Sequence, residues 1–278
     1  MTNTGSSTRE VGQWLEKPQQ TVSGRRFRRF VVRTHVIRPH ERLASTLVPL
    51  LKDRVGPDDI VLLSEKIVAI SEGRAIPLSS IKVGRIALLL SRHVGQLGYG
   101  LGLRRPETMQ MAIQEAGLCR IGLATVAAVW DRLSGQSGDF YRVAGRRVAA
   151  IDGPGPTTIA PYDRYVVLAP RYGEQLAKAL SRRLGGTTVA IVDVNDVGSE
   201  ILAVVGPADP KWIQGLTRDN PMGQGSQATP IAVLTPVPLG SRDLPWRLEL
   251  PEGASWDPVA SWPGIGQMEE AGVWPNCI

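Results

Sequence analysis

YVVLAPRYGEQLAKALSRRLGGTTVAIV, residues 165–192, is the stretch on which the fold turns. Tyr165-Val166-Val167-Leu168 is a short apolar, β-branched run of strand length. Leu176, Leu180 and Leu184 then recur at four-residue spacing, the signature of a helix from about Glu174 to Leu184. Gly185-Gly186 stops that helix, and Val189-Ala190-Ile191-Val192 is a second buried run. Strand, helix and strand in this order predict a βαβ unit and hence an α/β (α+β) protein, with a mixed sheet and flanking helices. In such sheets, polar residues just beyond the carboxyl ends of strands are favoured for ligand chemistry.

Outward from this unit, Ile60-Val61-Leu62-Leu63, Ile67-Val68-Ala69-Ile70 and Ile231-Ala232-Val233-Leu234 read as further buried strands. Met109, Ile113 and Ala116, opened by Pro106 and closed by Gly117, predict a helix. Leu43, Leu47 and Leu50 form a third helical stripe, with Pro49 out of place near its end. Arg25-Arg26-Phe27-Arg28-Arg29 alternates poorly as a helix and runs into Phe30-Val31-Val32. It reads as a strand entry with a solvated face rather than a nucleic-acid patch.

The chain has 278 residues, 42% hydrophobic and 21% charged, and its 30 Gly and 21 Pro imply many tight turns. This is the composition of a globular protein, with neither disordered nor fibrous character. The net charge of +6 comes from scattered arginines, which suits a phosphorylated, anionic ligand as well as nucleic acid. Cys119 and Cys277 are far apart without metal-ligand spacing, and no apolar run approaches the ~20 residues that span a bilayer. A reduced, cytoplasmic location and no membrane partner are therefore expected. Residues 1–24, rich in Ser, Thr, Gln and Gly, read as a flexible tail. Residues 236–278 form a Pro/Trp-rich extension with Trp246, Trp256, Trp262 and Trp274, suited to wrap the body or cover a site. Residues 25–235 between them are the main domain.

The common catalytic signatures are missing: there is no GxxxxGK[ST] loop, strand-linked GxGxxG, HExxH or GxSxG. The three histidines all fall early, at His35, His40 and His93, which disfavours a histidine triad or zinc site. What remains are loop carboxylates and amides after apolar runs. Val148-Ala149-Ala150-Ile151 ends in Asp152-Gly153-Pro154-Gly155, and Val189–Val192 runs into Asp193-Val194-Asn195-Asp196-Val197-Gly198. Oxygens at such turns suit Mg²⁺ or Mn²⁺, so Asp152, Asn195 and Asp196 are candidate ligands; local turn formation by Asp and Asn is the rival account. Between Asp219 and Pro230, Gly223, Gly225 and small polar residues offer backbone N–H groups to phosphate. In Ser64-Glu65-Lys66-Ile67-Val68-Ala69-Ile70-Ser71-Glu72-Gly73-Arg74, charges interrupt an apolar stretch. Lys66 and Arg74 are candidates for binding phosphate or a substrate carboxylate, with pairing to Glu65 or Glu72 the alternative.

Taken in order, these segments resemble the coenzyme F-420 gamma-glutamyl ligases. The stretch from Asp58 to Arg74 is similar to the family's opening block, most specifically at Glu72-Gly73-Arg74. Asp152 falls where the family has a metal-binding Asp, Asn195-Asp196-Val197-Gly198 resembles its Asp-Thr-Phe-Gly metal turn, and Met222-Gly223-Gln224 with Thr229-Pro230-Ile231 resembles its nucleotide-contact loop. The likeness runs over roughly residues 31–235. Ile70 stands where the family has a second Lys, Gly155 where it has Asn, Asn195-Asp196 where it has Asp-Thr, and Gln224 where some members have a carboxylate; residues 91–147 match poorly.

The resemblance implies a gamma-glutamyl-ligase-like fold and an amide ligase that uses GTP or ATP with Mg²⁺ or Mn²⁺. A small-molecule carboxylate would be activated as an acyl phosphate and captured by an amino acid or other amine, in a specialised pathway. It places Asp152, Asn195 and Asp196 on the metal, Lys66 and Arg74 on the reacting charges, and Glu65, Lys66, Gly155, Met222, Gly223, Gln224 and Gly225 around the nucleotide. It also implies a homodimer. The alternative is a catalytically inactive nucleotide- or metabolite-binding regulatory protein on the same scaffold, motivated by Ile70 and Gly155.

Overall fold

A computed structural model describes residues 10–96, 101–134, 139–156, 158–195, 198–223 and 227–238. The strands are β1 (Trp14–Val22), β2 (Arg25–Val32), β3 (Ile60–Ser64), β4 (Ala75–Pro77), β5 (Tyr165–Val167), β6 (Thr188–Val194), β7 (Ser199–Val205) and β8 (Ile231–Pro236). The helices are α1 (Leu43–Leu51), α2 (Glu65–Ser71), α3 (Arg85–Gln96), α4 (Pro106–Ala116), α5 (Leu118–Ser134), α6 (Asp139–Ala144), α7 (Arg146–Ala149), α8 (Gly173–Arg183) and α9 (Pro210–Thr217).

Six strands form a mixed sheet in the order β1-β2-β8-β3-β6-β7, in which only β3 and β6 pair in parallel. The class is α/β, as the sequence predicts. Along β3, Val61 and Leu63 face one core with α1, α2 and α8, while Ile60 and Leu62 face another with α9. Burial on both faces explains the unbroken apolar runs of β3, β6 and β8. A third core is made by α3 to α7 together with Val166 and Leu168, so these helices form a layer of their own. No single helix among the described residues is long and apolar enough to cross a membrane.

Several readings change. Ile67–Ile70 is helix, not strand: α2 begins directly after β3, and helical spacing buries Ile67, Val68, Ala69 and Ile70. A four-residue apolar run fits either element, and only the tertiary partners decide. The elements of the 165–192 unit stand as predicted, but β5 pairs with β4 in a separate two-stranded sheet, so this is not a βαβ unit within one sheet. The apolar residues before Asp152 belong to the short α7 and its exit. The expected tail at 1–24 is ordered in part, because β1 pairs with β2 from Trp14↔Val32 to Val22↔Arg25. Ser23 (φ 51°) and Gly24 (φ 75°) make the two-residue left-handed turn that closes this hairpin. Residues 1–9 and the Trp-rich segment after Pro238 lie outside the described residues.

The arginine-rich entry is strand β2, with Arg25, Arg26 and Arg28 exposed. Arg29 departs from the expected solvated face: its side chain is fully buried and forms a fork to Asp219 at 2.5 and 2.8 Å. It also donates to the carbonyls of Pro18 (2.7 Å) and Leu216 (2.9 Å), which supplies the compensation that a buried charge requires.

Candidate functional site

The order of the strands brings several chain ends to one edge. Ser64 at the end of β3 lies beside Val192 of β6, and Leu63 lies opposite Ile231, the first residue of β8. Val32, the last residue of β2, also pairs with Ile231. The segments leaving β2, β3 and β6 and the one entering β8 therefore meet around a cavity of about 360 Å³. This is the crevice beyond the carboxyl ends of parallel strands, where polar groups can be presented without breaking the sheet.

Lys66 is the second residue of α2, and its Nζ lies 2.7 Å from Asp152 Oδ2. Both side chains are part-exposed, at 34% and 50%, so the pair is accessible to a ligand. Asp152 is fixed from the other side by its own backbone, which exchanges two hydrogen bonds with Val167 at 2.8 and 2.9 Å. Asn195 reaches the cavity at the end of β6, and its Oδ1 accepts the Gly198 N–H at 3.0 Å within the turn. The loop contribution is Met222 and Gly223, held where the Gly223 N–H meets Asn220 O at 3.0 Å and Thr229 Oγ1 donates to Met222 O at 2.7 Å. Gly223 has φ 76°, a left-handed backbone that favours glycine, while the space beside it is bounded only by the movable end of the Gln227 side chain.

Of the residues singled out from the sequence, Glu65, Lys66, Asp152, Gly155, Asn195, Met222 and Gly223 line this one cavity. Asp196, Gln224 and Gly225 lie outside the described residues. Arg74 is not brought to the cavity. Its guanidinium donates to Ala169 O and pairs with Glu115 at 2.8 Å, and Arg171 holds the other Glu115 oxygen at 2.9 Å. Pairing was the alternative for Arg74, and the partner is Glu115 of α4 rather than Glu65 or Glu72. The whole Glu72-Gly73-Arg74 stretch is architectural here. Glu72 accepts the N–H groups of Arg171 and Tyr172 just before α8, while Gly73 (φ 73°) lies so near the His40 ring that a Cβ would meet it at 2.5 Å.

Asp193 also lines the cavity and was not singled out from the sequence. Its signal was the period of two along β6: Val189 and Ile191 face the α2–α8 core, so Asp193 points the same way. Glu65 is buried, at 5% exposure, and its Oε2 has no hydrogen-bond partner. Burial, then the charges of Asp193 and Asp152, push its carboxyl up to about 9, against a smaller opposing effect of Lys66. Asp193 is raised as well, first by burial and then by Asp152. The site carries more negative charge than Lys66 offsets, and hard oxygen donors in such surplus favour a cation. Among the described residues, no three or more His, Cys, Asp or Glu side chains converge to hold a metal ion. The donor set fits Mg²⁺ or Mn²⁺ in the usual manner for nucleotide sites, with one or two carboxylates completed by phosphate and water.

Fold and cavity define an α/β protein with a cationic and an anionic side chain paired beside the carboxyl edge of its sheet. A sequence model of the F420-0:gamma-glutamyl ligase family matches residues 31–197, and the chain belongs to that family. The match ends at the Asn195–Gly198 turn and includes every element of the cavity except the β8 entry loop. No curated protein matches the chain.

Proposed function

We propose that this chain is a metal- and nucleotide-dependent ligase that joins a small-molecule carboxylate to an amino acid or other amine through an acyl phosphate. The observation that carries this reading is the Lys66–Asp152 pair at the mouth of a cavity shared with Asp193, Glu65 and two glycine turns. Phosphoryl transfer depends on positioning and charge neutralisation rather than on a protein nucleophile, and this cavity offers charged groups while the ring of its lining histidine, His35, is engaged by Glu41 at 2.9 Å. Lys66 moves from Asp152 to the transferring phosphate, Gly155 and Gly223 admit phosphate oxygens close to the backbone, and Asp152 and Asn195 hold the ion with Asp196. A bound Mg²⁺ or Mn²⁺ supplies charge neutralisation on GTP or ATP. Val36, Ile37, Ile67, Ile70, Ile159 and Tyr162 give the cavity an apolar side suited to the body of an organic substrate.

The test is nucleotide consumption by purified protein with Mg²⁺ or Mn²⁺ and a pool of carboxylates and amines, repeated with Lys66→Met. Turnover that falls about 10²–10³-fold in kcat supports the reading. Nucleotide that is neither bound nor consumed overturns it, and binding without turnover selects the regulatory alternative, for which Ile70 in the cavity wall is the motivating feature. The same reading includes a homodimer working in the reducing cytoplasm, supported by the exposed apolar stripe of Leu123, Val126 and Trp130 along α5 and by the free thiol of Cys119.

A further inference from the structure

A second cavity, of about 470 Å³, adjoins the first, and His35, Val36, Ile37 and Tyr162 line both. Its outer wall includes Pro39, Pro161 and Tyr165. Along the shared wall few groups can exchange a proton. Val36 and Ile37 are apolar, and Tyr162 is buried with its hydroxyl donated to the Ile37 carbonyl at 2.6 Å. His35 remains, and at 41% exposure its ring is within reach of a ligand.

A carboxylate sets the orientation of that ring. His35 Nε2 lies 2.9 Å from Glu41 Oε1, and Glu41 in turn accepts the Arg38 N–H at 2.9 Å and the Thr46 hydroxyl at 2.8 Å. Burial works against ionisation of Glu41, but these two bonds and the charge of His35 hold it below the ordinary carboxylate range. An ionised carboxylate can only accept, so the neutral imidazole carries its proton on Nε2 and keeps a lone pair on Nδ1. Among the described residues Nδ1 has no hydrogen-bond partner. A base oriented by a buried acid is the arrangement that prepares an imidazole for proton transfer. The other titratable groups lining these cavities are Arg38, Tyr162 and Tyr165 in the second and Glu65, Lys66, Asp152 and Asp193 in the first.

We propose that His35, oriented by Glu41, is the proton acceptor for the amine substrate, which approaches from the side of the second cavity. This rests on the ligase reading, which gives the carboxylates of the first cavity to the ion and the phosphates. An amine is ammonium at neutral pH and cannot attack until its nitrogen regains a lone pair. One ammonium proton passes to His35 Nδ1. The nitrogen then attacks the carbonyl carbon of the acyl phosphate, the bond from that carbon to the phosphate oxygen breaks with its electron pair, and the second proton leaves with the phosphate. His35 returns its proton to solvent at its exposed edge. Glu41 is a positioning residue, because it acts only through the imidazole.

The experiment compares two nucleophiles on the full chain with nucleotide, Mg²⁺ and a pool of carboxylates. One is a pool of amino acids and alkyl amines, which arrive as ammonium; the other is hydroxylamine, which is already uncharged at neutral pH and traps an acyl phosphate as a hydroxamate. In His35→Gln, amine-dependent phosphate release should fall about 10²-fold in kcat at neutral pH and recover towards wild type by about pH 9, while hydroxamate formation stays within about twofold. Glu41→Gln should show the same split with a smaller loss. Melting curves control for folding, and nitrogen-15 NMR of histidine-labelled wild type should find neutral His35 protonated on Nε2. Equal losses with both nucleophiles, or no loss with either, overturn the role. So does a neutral His35 protonated on Nδ1, or a wild type that uses hydroxylamine and no amine. Hydroxamate from wild type keeps the ligase reading in each of these cases, and a wild type that makes neither product overturns both.

Discussion

At the scale of single residues, Gly73 and Lys66 make opposite predictions although both lie in the stretch most like the family. Gly73→Ala has to place a Cβ against the His40 ring in a left-handed backbone, so it should cost about 1–3 kcal/mol in chemical denaturation. Folded protein that survives should keep its ligand affinity. Lys66→Met should do the reverse, leaving the denaturation midpoint nearly unchanged, since its ion pair is part-exposed, while removing turnover. A stability loss in Lys66→Met as large as that of Gly73→Ala would show that Lys66 is structural. The contrast also explains what the sequence could tell. The motif was legible; the division of labour within it was not, because Arg74 meets Glu115 and Ala169 from segments 41 and 95 residues away. No local pattern marks such partners.

At the scale of elements, the latch between β2 and the segment after α9 has a definite pH signature. The hydrogen bonds from Arg29 hold the Asp219 carboxyl below the ordinary carboxylate range. A depressed acid stabilises the fold fully above its unfolded value of about 3.9, and that contribution is lost as pH falls through the lower folded value. Asp219→Asn should therefore destabilise at neutral pH, with the gap to wild type starting to close as pH falls below about 4 and vanishing below the lower folded value. Its neutral-pH cost should lie near or below the lower end of the ~3–5 kcal/mol range for breaking a buried pair, because Asp219 is 45% exposed and two carbonyls still receive Arg29. Equal loss at all pH values would rule the charge pairing out as the cause. Helix α1 offers a simpler case: Pro49 lies inside it and is exposed, while Leu43, Leu47 and Leu51 anchor it in the core. The helical stripe was legible despite the proline, because burying two or three leucines, about 1.5–3 kcal/mol each, outweighs one lost backbone bond.

At the scale of the whole molecule, the α/β class and most element positions followed from apolar periodicity. The pairing of the strands did not, since periodicity says which face is buried and nothing about which strand is next. The hairpin of β1 and β2 escaped a reading based on polarity because its stabilisation comes from cross-strand contacts such as Trp14 on Phe30, at 5.9 Å, rather than from an apolar run. The proposed dimer is tested at this scale. Leu123, Val126 and Trp130, exposed at 64%, 67% and 71%, lie along one side of α5, which is unusual for a surface that stays in water. Val126→Asp should shift the mass measured by light scattering from two chains to one without moving the far-ultraviolet spectrum; an unchanged mass would place the contact elsewhere.

The position of β8 between β2 and β3 has a consequence for synthesis and folding. The strand that joins the two halves of the sheet is the last one described in the chain, so β1 and β2 can form their hairpin early but have no place to dock until residues 231–236 arrive. Such long sequence separation slows assembly and leaves two unpaired strand borders open in the interval. A ribosome-bound chain halted before Pro230 should therefore expose those borders to chaperones and protease, with the cavity still lacking the support of β8. Competence arrives in one late event, with the insertion of a single six-residue segment.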